Sequence, residues 1–233
     1  MISINKKNYW VSIKFLDNIL KIILYKGRER IYKIFKKNIP LKKKYKLIDI
    51  GTSPILEKSE NIILSKYKWK ENITCLSDQN CNILKKKYKK TKFFIGDAKK
   101  IKYDNNKFDI VYSSATIEHL GSYQNQLKAI KEMYRISRRF LFLTTPNRFF
   151  PIEMHTKLPF LHFLPKKIFR SILKYFGEKF FCYEKNLNLL SRKDLDNLCR
   201  DAEIKNYKIV YNYLLFFRSN MILIAKKNNL ELV

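Results

Sequence analysis

The sequence predicts an α/β domain: a seven-stranded, mostly parallel sheet with a terminal antiparallel strand pair and helices on both faces. Three observations predict it. From about residue 46 onward, apolar strand-like runs alternate with helix-like stretches, the order of a parallel sheet with crossover helices. The runs are continuously apolar, as strands covered on both faces are. Two apolar runs near the end, 209–217 and 221–225, have only Arg218, Ser219 and Asn220 between them. No helix fits in three residues, so these two runs are antiparallel neighbours.

The elements follow in order. Residues 1–45 read as a basic helical N-terminal extension, and 46–233 as the main domain with a Pro- and aromatic-rich insertion at about 146–180. In the extension Ile13, Leu16, Leu20, Ile23 and Leu24 fall on one helical face and Lys14, Asp17, Asn18 and Lys21 on the other, with a second short helix from Arg28 to Lys37 after Gly27. Such a segment either packs on the domain or lies as a basic amphipathic helix on an anionic surface. Strands are expected at 47–50, 73–76, 93–95, 108–112 and 140–143, and helices at 55–67, 79–88 and 123–136. Ser53 suits the N-cap of the first of these helices and Pro54 its first position. Between 95 and 108 there is room for little more than a turn.

Residues 146–165 hold four of the six prolines and two of the three histidines. This stretch cannot be regular helix or strand, yet with Phe149, Phe150, Phe160 and Phe163 it is too apolar for a solvated linker. It is expected to fold back over the carboxyl ends of the strands. A helix over 166–176 should end at Gly177, with Ile168, Phe169, Ile172, Leu173 and Phe176 together and Lys166, Lys167, Arg170 and Lys174 around them. Later, Ser191 caps a helix, Asp194 sits three residues on, and Leu195, Leu198 and Cys199 form its apolar stripe.

Composition bounds the function. The chain has 233 residues, enough for one domain, and 49 Lys+Arg against 20 Asp+Glu give a formal charge of +29. Lys, Asn, Ile, Tyr and Phe make up 120 of the residues, and all five have codons built from A and T alone. The charge therefore has two readings: composition bias on a solvated surface, or attraction to an anionic partner. No apolar run approaches the ~18 residues of a membrane span, and the N-terminus lacks an export signal, so a cytoplasmic protein is expected, peripheral at the inner membrane face if the charge is used there. The cysteines (Cys75, Cys81, Cys182, Cys199) have no CxxC spacing and read as buried thiols. No metal site is expected, since His155 and His162 stand seven apart in a proline-rich loop.

Four stretches carry chemistry. The strand 47–50 ends in Asp49, Ile50 and Gly51, where a strand–loop–helix turn aims backbone N–H groups at a ligand and glycine lets the backbone approach. Asp78 closes the second strand, where a carboxylate accepts bonds from ribose hydroxyls or caps a helix. Gly96, Asp97 and Ala98 follow the third strand. The fourth strand ends in Ser113, Ser114, Ala115 and Thr116, followed by Ile117, Glu118 and His119.

In this order the four stretches resemble the class I S-adenosylmethionine-dependent methyltransferases of the type 11 branch, over roughly residues 46 to 226, including the closing antiparallel pair. The resemblance implies a Rossmann-like sheet, methyl transfer, and S-adenosylmethionine as cofactor. It implies Asp49 and Gly51 at the methionine end, Asp78 at the ribose, Asp97 and Ala98 at the adenine, and Ser113 and Ser114 on the sulfonium side. Where the family has two further glycines, this chain has Thr52, Ser53 and Pro54, whose hydroxyls stand in for contacts to the cofactor carboxylate or leave the loop impaired.

His119, His155, Glu118 and Glu153 are the candidate bases, with His119 and His155 as the catalytic pair. The Asn/Asp-Pro-Pro-aromatic motif of adenine amine methylation is absent, so nucleic acid is indicated only by net charge. The expected acceptor is small or amphipathic, such as a surface-glycan or lipid-linked intermediate. The alternative is a non-catalytic basic module that binds membrane or RNA on a methyltransferase scaffold. A nicotinamide-dependent oxidoreductase is disfavoured by the missing G-x-G-x-x-G and by the antiparallel closure.

Overall fold

The structure, a computed structural model, describes residues 14–57, 60–214 and 216–227. Seven strands form one sheet: β1 Leu47–Ile50, β2 Ile73–Ser77, β3 Lys92–Ile95, β4 Phe108–Ser114, β5 Ser137–Pro146, β6 Tyr207–Leu214 and β7 Phe217–Lys226. Their order is β3-β2-β1-β4-β5-β7-β6, parallel from β3 to β5 and antiparallel where β7 pairs with β5 and β6. The chain runs outward from β1 to one edge and from β4 to the other. That reversal opens a crevice beyond the carboxyl ends of β1 and β4, the position where open α/β sheets bind ligands.

Alternate side chains feed two cores. Ile48, Ile50, Val111, Leu141, Leu143, Met221 and Leu223 face a cluster with α4 Tyr123–Ile136 and α6 Arg192–Asp201, through Ala129, Met133, Leu195 and Leu198. Leu47, Ile110, Tyr112, Phe142, Ile222 and Ile224 face the other way, onto α1 Lys14–Asn38, α2 Ile62–Lys66 and α3 Asn82–Lys87, through Phe35, Ile63 and Leu84. The four cysteines are buried and free. Ser191 and Asp194 form the expected capping box. The remaining helix, α5 Lys166–Tyr175, ends at Gly177 (φ +79°), where the N–H of Glu178 bonds Leu173 O at 2.9 Å and that of Gly177 bonds Lys174 O at 3.1 Å.

Four expectations are corrected. No helix starts at Ser53 and Pro54. Asn61 instead ties the segment into a loop, with Nδ2 on the carbonyls of Ser53 (2.9 Å) and Ile55 (3.0 Å) and Oδ1 accepting the Ser53 N–H (3.1 Å), and α2 begins at Ile62. A side-chain amide that satisfies local backbone groups competes directly with a helix. Second, α1 is one helix through Gly27, not two. The Gly27 carbonyl accepts Asn212 Nδ2 at 3.3 Å, so tertiary contact with β6 outweighs the ~1 kcal/mol propensity cost of a mid-helix glycine.

Third, Arg218, Ser219 and Asn220 lie within β7, not in the turn. The ladder continues to Tyr213↔Arg218 and Leu214↔Phe217 past a bulge at Asn212/Tyr213, and Ser219 Oγ donates to Asn212 O at 3.1 Å. Fourth, β3 is apolar yet not covered on both faces. It is the sheet edge, and Phe94 and Ile95 are exposed. The apolar face expected over residues 13–24 lies in large part outside the residues whose side chains are described. Among the described residues no helix is long and apolar enough to cross a membrane.

The tie between α1 and the sheet is aromatic. Phe35 is fully buried, edge-on to Tyr112 (5.5 Å between centroids) and to Phe142 (5.1 Å), which stack on each other. Phe35→Ala should cost about 3–5 kcal/mol in urea unfolding. A loss under about 1 kcal/mol would show that α1 does not share the core of the sheet.

Candidate active site

The crevice is built on a glycine that nothing can replace. Gly51 leaves β1 at φ +85°, and a Cβ there would lie 2.0 Å from Thr116 Oγ1. Thr116 itself sits 3.2 Å from the carbonyls of Ile50 and Ser114, bridging the ends of β1 and β4. Between them Ala115 is held at φ +51°, a conformation rare for a residue with a Cβ and concentrated at functional sites.

Beyond this junction lies a cleft of about 570 Å³, lined by Gly51, Leu76, Asp78, Ile95, Gly96, Asp97, Ala98, Thr116 and His119, among others. It therefore brings together Gly51, Asp78, Asp97 and Ala98 from three separate strand ends. Asp78 is exposed at the tip of β2, and Asp97 is held by the Lys99 N–H at 2.8 Å and the Lys99 ammonium at 3.3 Å. The other residues expected at the cofactor, Asp49, Thr52, Ser53, Ser113 and Ser114, are not among its lining. Asp49 is buried behind it and accepts the Thr52 hydroxyl at 2.9 Å. Ser53 is engaged with Asn61, and Ser113 Oγ donates to Ile50 O at 2.9 Å. Ser114 pairs with Thr144 at 3.0 Å and lines a neighbouring cavity. The Gly51 and Thr52 N–H groups both bond Leu76 O, at 2.8 and 3.1 Å.

The second cavity, about 400 Å³, lies under the insertion. Pro146, Phe150, Ile152, Met154 and His155 line it from the insertion, Leu24, Arg28 and Ile31 from α1, and it shares Ala115 and His119 with the cleft. The insertion is pinned from within. His162, buried, contacts Phe150 O through Nε2 at 2.7 Å, and Arg148 donates to the carbonyls of His162 (3.3 Å) and Leu164 (2.7 Å).

At the shared corner four titratable side chains converge. Glu153 accepts the N–H groups of His155 (3.1 Å) and Thr156 (2.6 Å), and His155 Nδ1 lies 2.6 Å from its Oε1. Burial works to raise the Glu153 carboxyl, but the His155 bond and charge and these two backbone donors outweigh it and hold it at about 2. Burial works to lower His155, and the bond to Glu153 with the charges of Glu153 and Glu118 raises it above its ordinary value.

His119 Nδ1 lies 2.8 Å from the carbonyl of Asn186, in the segment returning from the insertion. Glu118 is fully buried. Its Oε2 accepts Thr145 Oγ1 at 3.0 Å and its carbonyl accepts the Asn188 N–H at 2.7 Å. The sequence reading passed over Asn186, Asn188 and Gln126, whose Nε2 binds the carbonyls of Ile117 (3.1 Å) and Asn188 (3.0 Å). Their only signal is amide side chains among apolar residues.

Residues 62–139 match the family model described as "Methyltransferase domain". The match covers about a third of the chain. Solved methyltransferases share the fold. An S-adenosylmethionine-dependent methyltransferase from Aquifex aeolicus superposes with a TM-score of 0.57 at 16% identity, over 91% of this chain and 95% of that one. One from Thermotoga maritima gives 0.55 at 14%, over 92% and 97%. Phosphoethanolamine N-methyltransferase 2 of Haemonchus contortus, solved in complex with S-adenosyl-L-methionine, gives 0.58 at 12%, over 85% of this chain and 52% of that one. These likenesses are likenesses of fold. No curated protein matches the chain.

The cleft has the features of a small-molecule site. Its volume is in the range of small-molecule sites, an exposed carboxylate stands at the tip of β2, and Gly96 approaches without a side chain.

Asp49 yields a pH prediction. Burial pushes its carboxyl up to about 7, with the Thr52 hydroxyl pulling the other way. A folded-state value above the unfolded one means stability is full at low pH and falls as pH rises from about 4 to about 7, where only the unfolded chain ionises freely. Asp49→Asn should remove that fall. Its melting temperature relative to the parent should rise between pH 4 and 7.5, and a constant difference across that range would reject the assignment.

Proposed function

We propose that this chain is a methyltransferase that moves the methyl group of S-adenosylmethionine onto a small or amphipathic acceptor held under the insertion. The observation that supports this most directly is the meeting of the two cavities at Ala115 and His119. A donor in the cleft and an acceptor in the second cavity face each other across that corner. In this reading Asp78 binds the ribose hydroxyls and the Asp97–Ala98 turn lies against the adenine.

The cofactor supplies an electrophilic methyl on a sulfonium, so the chain has to align, desolvate and manage a proton. Phe150, Ile152 and Met154 keep water from the corner. His119 and His155 each have Nδ1 against an acceptor, which places the hydrogen there and leaves the Nε2 lone pair of the neutral ring to hold the acceptor's polar atom and receive its proton.

Asp78→Ala should weaken S-adenosylhomocysteine binding more than about tenfold in calorimetry, because a charged acceptor of two hydrogen bonds is lost. His155→Ala should lower turnover while leaving that affinity nearly intact. Unchanged binding in the first variant, or lost binding in the second, contradicts the assignment. A chain that binds no cofactor would support the non-catalytic module instead.

The apolar rim favours a lipid-linked acceptor presented at an anionic membrane. Exposed aromatics gather on the insertion (Phe149, Phe160, Tyr175, Phe176, Phe180) and at the β6–β7 turn (Phe216, 94% exposed), among lysines of α5. Each Lys or Arg near such a leaflet adds about 1 kcal/mol, and inserted rings add apolar transfer energy. The protein should float with anionic vesicles, not neutral ones, and detach at high salt. No flotation at low salt would leave the charge as composition bias.

A further inference from the structure

Glu118, His119 and His155 present three donor atoms that all lie within 4.8 Å of one another, and among the described residues no other such group forms. Three features of the surroundings bear on what they hold. The His119 ring has Nδ1 at 2.8 Å from a backbone carbonyl, which only accepts, so the neutral ring is the tautomer with a bare Nε2. His155 has Nδ1 at 2.6 Å from Glu153 Oε1, with the same consequence. This is how metal-binding imidazoles are oriented: one nitrogen donates to a carboxylate or carbonyl and the other faces the ion. Finally, Glu118 is wholly buried and its Oε1 has no hydrogen-bond partner. An unpaired carboxylate oxygen in a dry site is costly, and a cation beside it removes the cost.

We infer that Glu118, His119 and His155 form a binding site for one first-row divalent cation of the zinc class, seated where the two cavities meet. Two imidazoles and a carboxylate are a borderline donor set that suits Zn²⁺ and its neighbours, and three protein ligands leave positions open. Donors about 2.1 Å from a tetrahedral ion stand about 3.4 Å apart, so rotations on the order of an ångström would close the site. Glu118 in contact with the ion and Glu153 behind His155 together balance its two charges. His119 and His155 both line the second cavity, so the ion would be reached from that side. There the ion would bind an oxygen of the acceptor and lower the pKa of its hydroxyl. With both imidazoles bound to the ion, the ion replaces them in activating the acceptor, and the hydroxyl proton leaves to water in the second cavity before the oxygen takes the methyl group. This last role rests on the acceptor reading above; the binding of the ion does not.

The test is titration of the full, chelator-treated chain with Co²⁺, followed by visible ligand-field absorption, with Zn²⁺ as competitor. One saturable equivalent that Zn²⁺ displaces is expected. Glu118→Gln and His155→Ala should each weaken Co²⁺ binding by more than about tenfold. His155 lies at the cavity wall, so its variant should still fold, and retained S-adenosylhomocysteine affinity verifies that it has. Asp78→Ala should lose cofactor affinity and keep the cobalt spectrum. Absence of a saturable band in the parent, or a band that His155→Ala leaves unchanged, overturns the site. A cobalt spectrum in a chain that binds no cofactor keeps the cation site and removes the methyl-transfer reading.

Discussion

The contact between Gly51 and Thr116 is the constraint on which the rest of the site depends. It joins the ends of β1 and β4, the two strands from which the chain departs in opposite directions. Sheet topology fixes that a crevice opens there, but its shape follows from two residues at positive φ, Gly51 and Ala115, which turn the chain sharply as each strand ends. Because Thr116 fills the space beside Gly51, the loop after β1 folds down onto Leu76 and leaves the cleft open toward Asp78 and Asp97.

The second wall depends on the insertion and on the segment that returns from it. Asn186 and Asn188 reach the Glu118–His119 turn through a carbonyl and an N–H, and Gln126 binds both sides of that junction. The turn after β4 is thus oriented by residues almost seventy positions later. His162 and Arg148 hold the insertion to itself, so the cavity beneath it is a product of the fold, with its apolar wall completed by α1.

Charge is distributed unevenly in this molecule. Lysines cover the outside, while several acids are withdrawn: Asp49 behind the cleft, Glu118 and Glu153 at the corner, and Asp109 where Arg139 (3.1 Å) and the Lys46 N–H (3.0 Å) meet it. Low dielectric strengthens the local influence of those that stay charged and unpaired by a cation. Two of these carboxylates, Glu118 and Glu153, stand at the corner where the cavities meet, which favours a cation or a proton at that point.

Much was readable in the residues themselves. Seven apolar runs, their spacing and the absence of a helix before the last one determine a mostly parallel sheet with an antiparallel closure, because strand length and loop length leave no other connection. Local chemistry also marked α4, the capping box at Ser191 and the end of α5 at Gly177. What was not readable depends on distant partners. Asn61 turns an expected helix into a loop, β6 lets α1 run through Gly27, and the edge position exposes β3 despite its apolar sequence. Asp49 and Asp78 look alike as strand-end carboxylates, yet one is buried and the other faces the cleft, since the face a side chain takes depends on pleat and neighbours. The sequence alone determined the sheet, its order of elements and the glycine at its switch point. Only the tertiary structure decided that His119, His155 and Glu118 meet, because Glu118 and His155 stand thirty-seven positions apart and a hydrogen bond from neither can be read before the chain has folded.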